Sequence, residues 1–240
     1  MKIENNFVIE RYKNKKRIDS YISKTKKGLN KEEEIIIKKY LTPKQKILVV
    51  GCGTGREIYG LKKIGFKNII GIDISPDMIK EAKKLVPKTK LFVCDINQFR
   101  SNQKFDAIIY FNNILEQIPS INKKKNAINK TKELLNPKGL IFLTTHSCFM
   151  FKKNILELAR NILKYLSYKM KLRKDSPFEY IDLKEKIYAS YSNPFLIKKI
   201  LKRFFKIKEM NSKKFILSRK KPYFIYIFDE PIYYVGELRW

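Results

Sequence analysis

The chain has 240 residues, 44% hydrophobic and 13% aromatic, with a formal charge of +30; this composition supports one large α/β domain with a sizeable core and excludes a disordered chain. No run approaches the roughly 18 uninterrupted apolar residues of a membrane span, and Cys52, Cys94 and Cys148 give neither a zinc spacing nor an even disulfide framework. The start, "MKIENNFVIERYKNKK", holds no apolar run of signal-peptide length, so the expectation is a cytoplasmic protein with reduced thiols.

Residues 1–42 read as a basic helical cap. In "LNKEEEIIIKKYL", Asn30 is placed as N-cap with Glu33 three positions on, a capping-box pattern with carboxylates at the positive end of the helix. "LTPK" then breaks the helix. From 46 to 147, five short apolar runs alternate with amphipathic helices: "ILVV", "NIIGID", "KLFVCD", "DAIIYF" and "GLIFLTT". Continuous apolar strands imply burial on both faces, hence a doubly wound α/β fold with its ligand at the carboxyl ends of the strands. Residues 150–185 read as a helical insertion or lid, because Phe151, Ile155, Leu158, Ala159, Ile162, Leu163, Leu166 and Met170 recur at helical spacing among basic residues. The segment 150–171 suits a lid, a peripheral membrane contact or an ordinary core-covering helix. Within 186–240, "SNPFLIKKILKRFF" is a capped helix with Pro194 at its start, and "KIKEMNSKKFILSRKKPYFIYIF" reads as two strands joined by a short connection. No linker separates two domains, so 1–240 is expected to act as a single domain.

The chemistry concentrates between the first strand and the helix after it. Gly51, Gly53 and Gly55 let the backbone turn tightly and let a ligand approach the main chain closely. A dinucleotide site needs G-x-G-x-x-G, and here Arg56 stands at the third glycine. Asp73 closes the second strand, where its carboxylate is placed to accept from ribose hydroxyls. Asp95 closes the third. Two carboxylates ending consecutive strands beside a glycine loop suit a nucleoside whose ribose and exocyclic amine both donate, and suit a phosphorylated cofactor poorly.

Taken together, "VVGCGTG", "IIGIDISPDMIKEAKK", "FVCDI", "FDAIIYFNNILEQI" and "LLNPKGLIFLTTHS" make residues 46–147 resemble a class I S-adenosylmethionine-dependent methyltransferase. The resemblance implies a Rossmann-like seven-stranded sheet, mostly parallel with an antiparallel C-terminal hairpin strand, and S-adenosyl-L-methionine as cofactor. By position it places Gly51, Cys52, Gly53 and Gly55 along the methionyl part, and Asp73 on the ribose. It sets Ile74 and Met78 near the adenine, Asp95 on the adenine amine, Ile96 beneath the base and Asn112 at the amino-acid end. Two departures stand out: Val49 where many relatives carry an acid, and Gln117 in "LEQI" where the usual motif has histidine.

In-line displacement at a sulfonium releases a neutral thioether, so alignment of the nucleophile and exclusion of water supply much of the rate, and no triad or metal cluster is required. His146, Glu116 and Tyr191 are the candidate catalytic side chains, none fixed by the sequence; Tyr188, like Tyr191, precedes the late helix near the substrate pocket. The methyl acceptor is expected to be a small molecule or lipid-like compound beneath 150–171. RNA is the alternative raised by the charge, although 44 Lys against 9 Arg reads as much like base composition as phosphate recognition. A cofactor-binding regulatory protein without catalysis is the third reading, motivated by Val49 and Gln117.

Overall fold

The computed structural model describes residues 9–10, 12–147, 159, 163, 166, 179–182, 187–190, 193–219 and 231–239. Two helices, α1 (Lys15–Thr25) and α2 (Lys31–Tyr40), precede strand β1 (Ile47–Val50). Then follow α3 (Arg56–Lys63), β2 (Ile69–Asp73), α4 (Pro76–Leu85), β3 (Lys90–Val93) and β4 (Phe105–Tyr110). A short α5 (Ile114–Gln117) and α6 (Ile121–Leu134) lead to β5 (Leu135–Thr145). Beyond it lie β6 (Glu179–Asp182), β7 (Ile187–Ser190), α7 (Pro194–Lys202), β8 (Phe205–Ser212), α8 (Lys213–Ser218) and β9 (Ile232–Leu238).

Seven strands form one sheet in the order β3-β2-β1-β4-β5-β9-β8. β1 to β5 pair in parallel, whereas β9 runs antiparallel to both β5 and β8. Successive side chains of a strand point to opposite faces, and here both faces are covered. Leu48 and Val50 join Ile72, Ile108, Tyr110 and Ile141 in one buried cluster with Ile128 of α6 and Leu201 of α7. Ile47 and Val49 join Ile69, Ile109 and Phe142 in the other, with Ile36 and Ile37 of α2, Ile58 of α3 and Ala82 of α4. This double burial is why the strands read as unbroken apolar runs. The strand order reverses between β1 and β4, and the crevice at such a switch point is where open α/β sheets bind ligands.

Helix ends follow their sequence signals. Asn30 N donates to Glu33 Oε2 at 2.8 Å, the reciprocal half of the capping box. Ser75 caps α4 by accepting from Met78 N, and Asn193 caps α7 by accepting from Phe195 N and Leu196 N, each with proline at the helix start.

Three expectations need correction. β3 is an edge strand, so Phe92 and Val93 are exposed and only Leu91 is buried. The run "KKFILS" is α8 and not a strand: Phe215 and Ile216 turn inward from a helix, and β8's partner is β9, far along the chain. The 150–185 stretch, expected to be helical, includes β6, which forms an antiparallel pair with β7. Ala159, Leu163 and Leu166 are helical and exposed; the remaining apolar positions of the proposed lid, Cys148 and the 222–228 run lie outside the described residues. Among those residues, no helix is long and apolar enough to cross a membrane.

One packing constraint yields a sign that propensity alone would get wrong. A Cβ on Gly60 in α3 would collide with the backbone nitrogen of Leu29, in the turn between α1 and α2. Alanine in place of a helical glycine ordinarily adds about 1 kcal/mol, but Gly60→Ala is expected to lower the thermal midpoint, because backbone rather than a pliable side chain must move. A rise in midpoint would show that the Leu29 turn is free to shift.

Candidate functional site

A cavity of about 440 Å³ opens at the carboxyl ends of β1, β2 and β4. Its floor is the loop after β1. Gly51 and Gly53 both have positive φ, +65° and +52°, a region that side-chain-bearing residues rarely adopt. A Cβ at Gly51 would run into Ile114, whereas at Gly53 it would meet nothing within 4 Å. Gly53 therefore presents bare backbone to open space, as close ligand approach requires.

Asp73 stands beside it, 8% exposed, its Oδ1 accepting from Ser75 N at 2.9 Å and its Oδ2 from Gly53 N at 2.8 Å. Burial pushes its pKa above the usual carboxylate range; the Ser75 and Gly53 amides pull it back and the charge of Glu57 adds to the rise. Ile74, Met78, Asp95, Ile96 and Asn112 also line the cavity, so the structure brings every expected cofactor residue except Gly55 to its wall. Gly55 lies one step behind, as the left-handed N-cap of α3. Asp95 folds its own turn by accepting from Asn97 N at 2.9 Å. Cys52 is buried, and burial, then the charges of Asp73 and Glu57, push its thiol well up, so it packs as a neutral side chain.

At the end of β4, Asn112 and Asn113 both adopt left-handed backbone, φ +53° and +57°. Asparagine tolerates this conformation better than most residues. Asn112 Nδ2 donates to Glu57 Oε1 at 2.6 Å. Asn113 Nδ2 lies 3.1 Å from His146 Nε2, and His146 Nδ1 lies 2.6 Å from Glu116 Oε2. A carboxylate only accepts, so Nδ1 carries the hydrogen and Nε2 faces the Asn113 amide. The pair Glu116–His146 thus meets the cavity through Asn113, and neither member is among its lining residues. Tyr188 lies within β7, and Tyr191 is outside the described residues.

Sequence reasoning missed the roof. Tyr12, Tyr21, Lys24 and Lys27 of the N-terminal segment line the cavity, with the two tyrosine rings edge to face at 5.7 Å. Tyr12 Oη donates to Gln117 Oε1 at 3.3 Å. Thr25 and Thr54 hydroxyls meet at 2.6 Å, tying α1 to the glycine loop. Arg56 binds harder: Nη1 and Nη2 reach Glu33 Oε2 and Oε1, each at 2.8 Å, Nη2 also reaches Glu57 Oε1 at 2.8 Å, and Nη1 donates to Gly28 O at 3.0 Å. Burial works against the Arg56 charge, but Glu57 and Glu33 hold it above its ordinary value. Glu33 itself is pushed up by burial and pulled back by Arg56. The available sequence signal was the capping-box Glu33 and the charge pair Arg56–Glu57, each readable only as a local feature.

Residues 47–139 match the family model described as a methyltransferase domain. Over that stretch the chain is similar to methyltransferase domains. Protein 235L of Invertebrate iridescent virus 6 is 27% identical over 151 residues, which cover 61% of this chain and 54% of that protein. A SAM-dependent methyltransferase from Methanosarcina mazei shares the fold with a TM-score of 0.64 at 18% identity, covering 88% of this chain and 98% of that one. The N-methyltransferase NodS from Bradyrhizobium japonicum WM9, solved with S-adenosyl-L-homocysteine, has a TM-score of 0.53 at 14% identity over 87% of this chain and 88% of NodS. The matched region spans little more than half the length of the first curated relative. The residues lining the cavity fit an adenosyl ligand: bare backbone at Gly53, a buried acceptor at Asp73, and apolar Ile74, Met78 and Ile96 in one cavity.

Two outcomes are expected. Because the folded pKa of Asp73 is raised, the native state binds its proton more readily than the unfolded chain; stability attached to this group is present below the ordinary carboxylate value and falls as pH rises through the folded value. Thermal melts from neutral pH down through the ordinary carboxylate value should therefore show wild type gaining on Asp73→Asn as pH falls, with a flat difference over the whole range counting against a desolvated carboxylate. Arg56→Met leaves Glu33 and Glu57 buried without their partner and should lose about 3–5 kcal/mol in urea unfolding. Arg56→Lys, which keeps the charge but not the fork, should fall between.

Proposed function

We propose that this chain is an S-adenosylmethionine-dependent methyltransferase acting on a small-molecule or lipid-like acceptor, with residues 1–42 capping a cofactor core at 46–147 in one working unit. The observation that carries the reading is the cavity at the strand switch point, with its glycine floor and buried Asp73. When bound, the cofactor supplies a methyl group on a sulfonium centre that leaves as a neutral thioether.

The chain's own residues hold and orient. Asp73 accepts from the ribose hydroxyls, exchanging the Gly53 amide hydrogen for those of the ligand. Ile74 and Met78 flank the adenine, Ile96 packs beneath it, and Asp95 accepts from its amine. Gly51 and Gly53 let the main chain approach the methionyl part, and Asn112 marks its far end. Tyr12 and Tyr21 exclude water from above and bring the acceptor into line, where positioning alone lowers the barrier. His146, one side chain behind the wall, fixes Asn113 and needs no part in proton transfer when the acceptor arrives as a free nucleophile.

A compact acceptor is favoured because α1 roofs the site and the volume, about 440 Å³, falls within the roughly 300–1,000 Å³ of small-molecule pockets. The +30 charge motivates RNA as a second reading, which predicts binding that weakens steeply with salt. The test is calorimetric titration with S-adenosylmethionine and S-adenosylhomocysteine, then transfer of labelled methyl into fractionated cell extract. Label is expected in low-molecular-mass or lipid fractions, lost with Asp73→Ala in folded protein. Label in RNA would replace the acceptor, and cofactor binding without transfer to any fraction would favour a regulatory protein.

A further inference from the structure

The carboxylate of Glu57 accepts from Arg56 and Asn112. It sits in the first turn of α3, 3% exposed, and lines the cavity. Both of its described contacts fall on one oxygen: Oε1 accepts from Arg56 Nη2 at 2.8 Å and Asn112 Nδ2 at 2.6 Å. Oε2 takes no hydrogen bond from any described residue. An ionised carboxylate has about four lone-pair sites, and with Glu57 in the cavity wall those of Oε2 are left for a donor that enters the cavity.

Its surroundings make that oxygen an acceptor for a cation. Arg56 is already engaged in a fork with Glu33 and a bond to Gly28 O. The neighbouring strand end contributes no charge, since Val49 is apolar and buried in the core. The other carboxylate on this side, Asp73, feels Glu57 as repulsion, as does the Cys52 thiol. Two like charges share one low-dielectric pocket, and a positively charged ligand group relieves both. The two carboxylates also have separate addresses: Asp73 closes β2, while Glu57 is tied to Asn112 beyond β4.

We propose that Oε2 of Glu57 receives the ammonium group at the methionyl end of S-adenosylmethionine, making Glu57 the residue that recognises the amino-acid half of the ligand. This rests on the cofactor reading above. Oε1, held by Arg56 and Asn112, fixes the carboxylate plane, and Oε2 accepts an N–H of the ammonium. No bond to carbon or sulfur changes.

The test separates this proposal from the reading beneath it by using three ligands on the full chain: S-adenosylhomocysteine, its analogue lacking the amine, and 5′-methylthioadenosine, which lacks the amino-acid end. A charge-assisted hydrogen bond predicts that removing the amine weakens calorimetric binding to wild type about tenfold or more, and that Glu57→Gln weakens S-adenosylhomocysteine similarly. The variant should bind the amine-free analogue and methylthioadenosine within about twofold of wild type, since the groups altered are not in contact. Equal loss for all three ligands, or wild type indifferent to the amine, overturns the role of Glu57. If wild type binds none of the three, the cofactor reading itself falls. Should Glu57→Gln fail to fold, the comparison of ligands on wild type decides alone.

Discussion

The fork between Arg56 and Glu33 joins two stretches that the sequence keeps apart. Arg56 begins α3 directly after the glycine loop, Glu33 belongs to the first turn of α2, and both ends of the bond are largely buried, 13% and 2% exposed by side chain. Burying such a pair is favourable only when its geometry is good and its remaining hydrogen-bonding sites are used. Here most of those sites are used: Glu33 Oε2 also accepts from Asn30 N, and Arg56 also holds Glu57 and Gly28 O, with only its Nε buried without a partner among the described residues. Removing Arg56 would leave two buried carboxylates, Glu33 and Glu57, without their cation and Gly28 O without its donor, which makes the α1–α2 turn, the glycine loop and the start of α3 a single mechanical unit. The close approach of Gly60 to Gly28 and Leu29 has the same effect through sterics.

This unit sets the electrostatics of the cavity. The chain carries 53 basic against 23 acidic residues, yet two carboxyl side chains lining the cavity, Asp73 and Glu57, are buried, and the one arginine among its lining residues is paired with its own carboxylate partners. Lys24 and Lys27 line it from the roof. A field of one sign over the surface and the other in the pocket attracts anions broadly and selects a cation locally, so net charge is a poor guide to the ligand. Burial first, and then the charge of Glu57, holds Asp73 above the ordinary carboxylate range.

What the sequence made legible follows from how short the relevant range was. The parallel core was readable because strands covered on both faces are apolar without interruption, and the loop because Gly51, Gly53 and Asp73 lie within one strand–helix–strand unit. Cap residues such as Asn193 were readable for the same reason. Failures began where the deciding partner was distant. "KKFILS" has a strand-like composition, and only β9, paired to β8 from 20 residues further on, leaves it free to be helical. Phe92 and Val93 look like core until the sheet order makes β3 an edge. The roof was hidden because Tyr12 and Tyr21 sit in a basic, polar segment, and their significance comes from Gln117, 105 positions beyond Tyr12.

Arg56 illustrates how one residue carries both kinds of information. As a departure from G-x-G-x-x-G it turns the reading away from a dinucleotide seat, a step taken on local sequence. Its positive content, a clamp on Glu33 that aligns Glu57, depends on a partner 23 residues earlier and could not be read locally. A glycine there would favour close helix–strand packing but would leave Glu33 and Glu57 to repel each other within the cap. The chain's choice of arginine therefore links its ligand class to its architecture: the side chain that closes the N-terminal segment over the cavity is the one that orients the carboxylate facing into it.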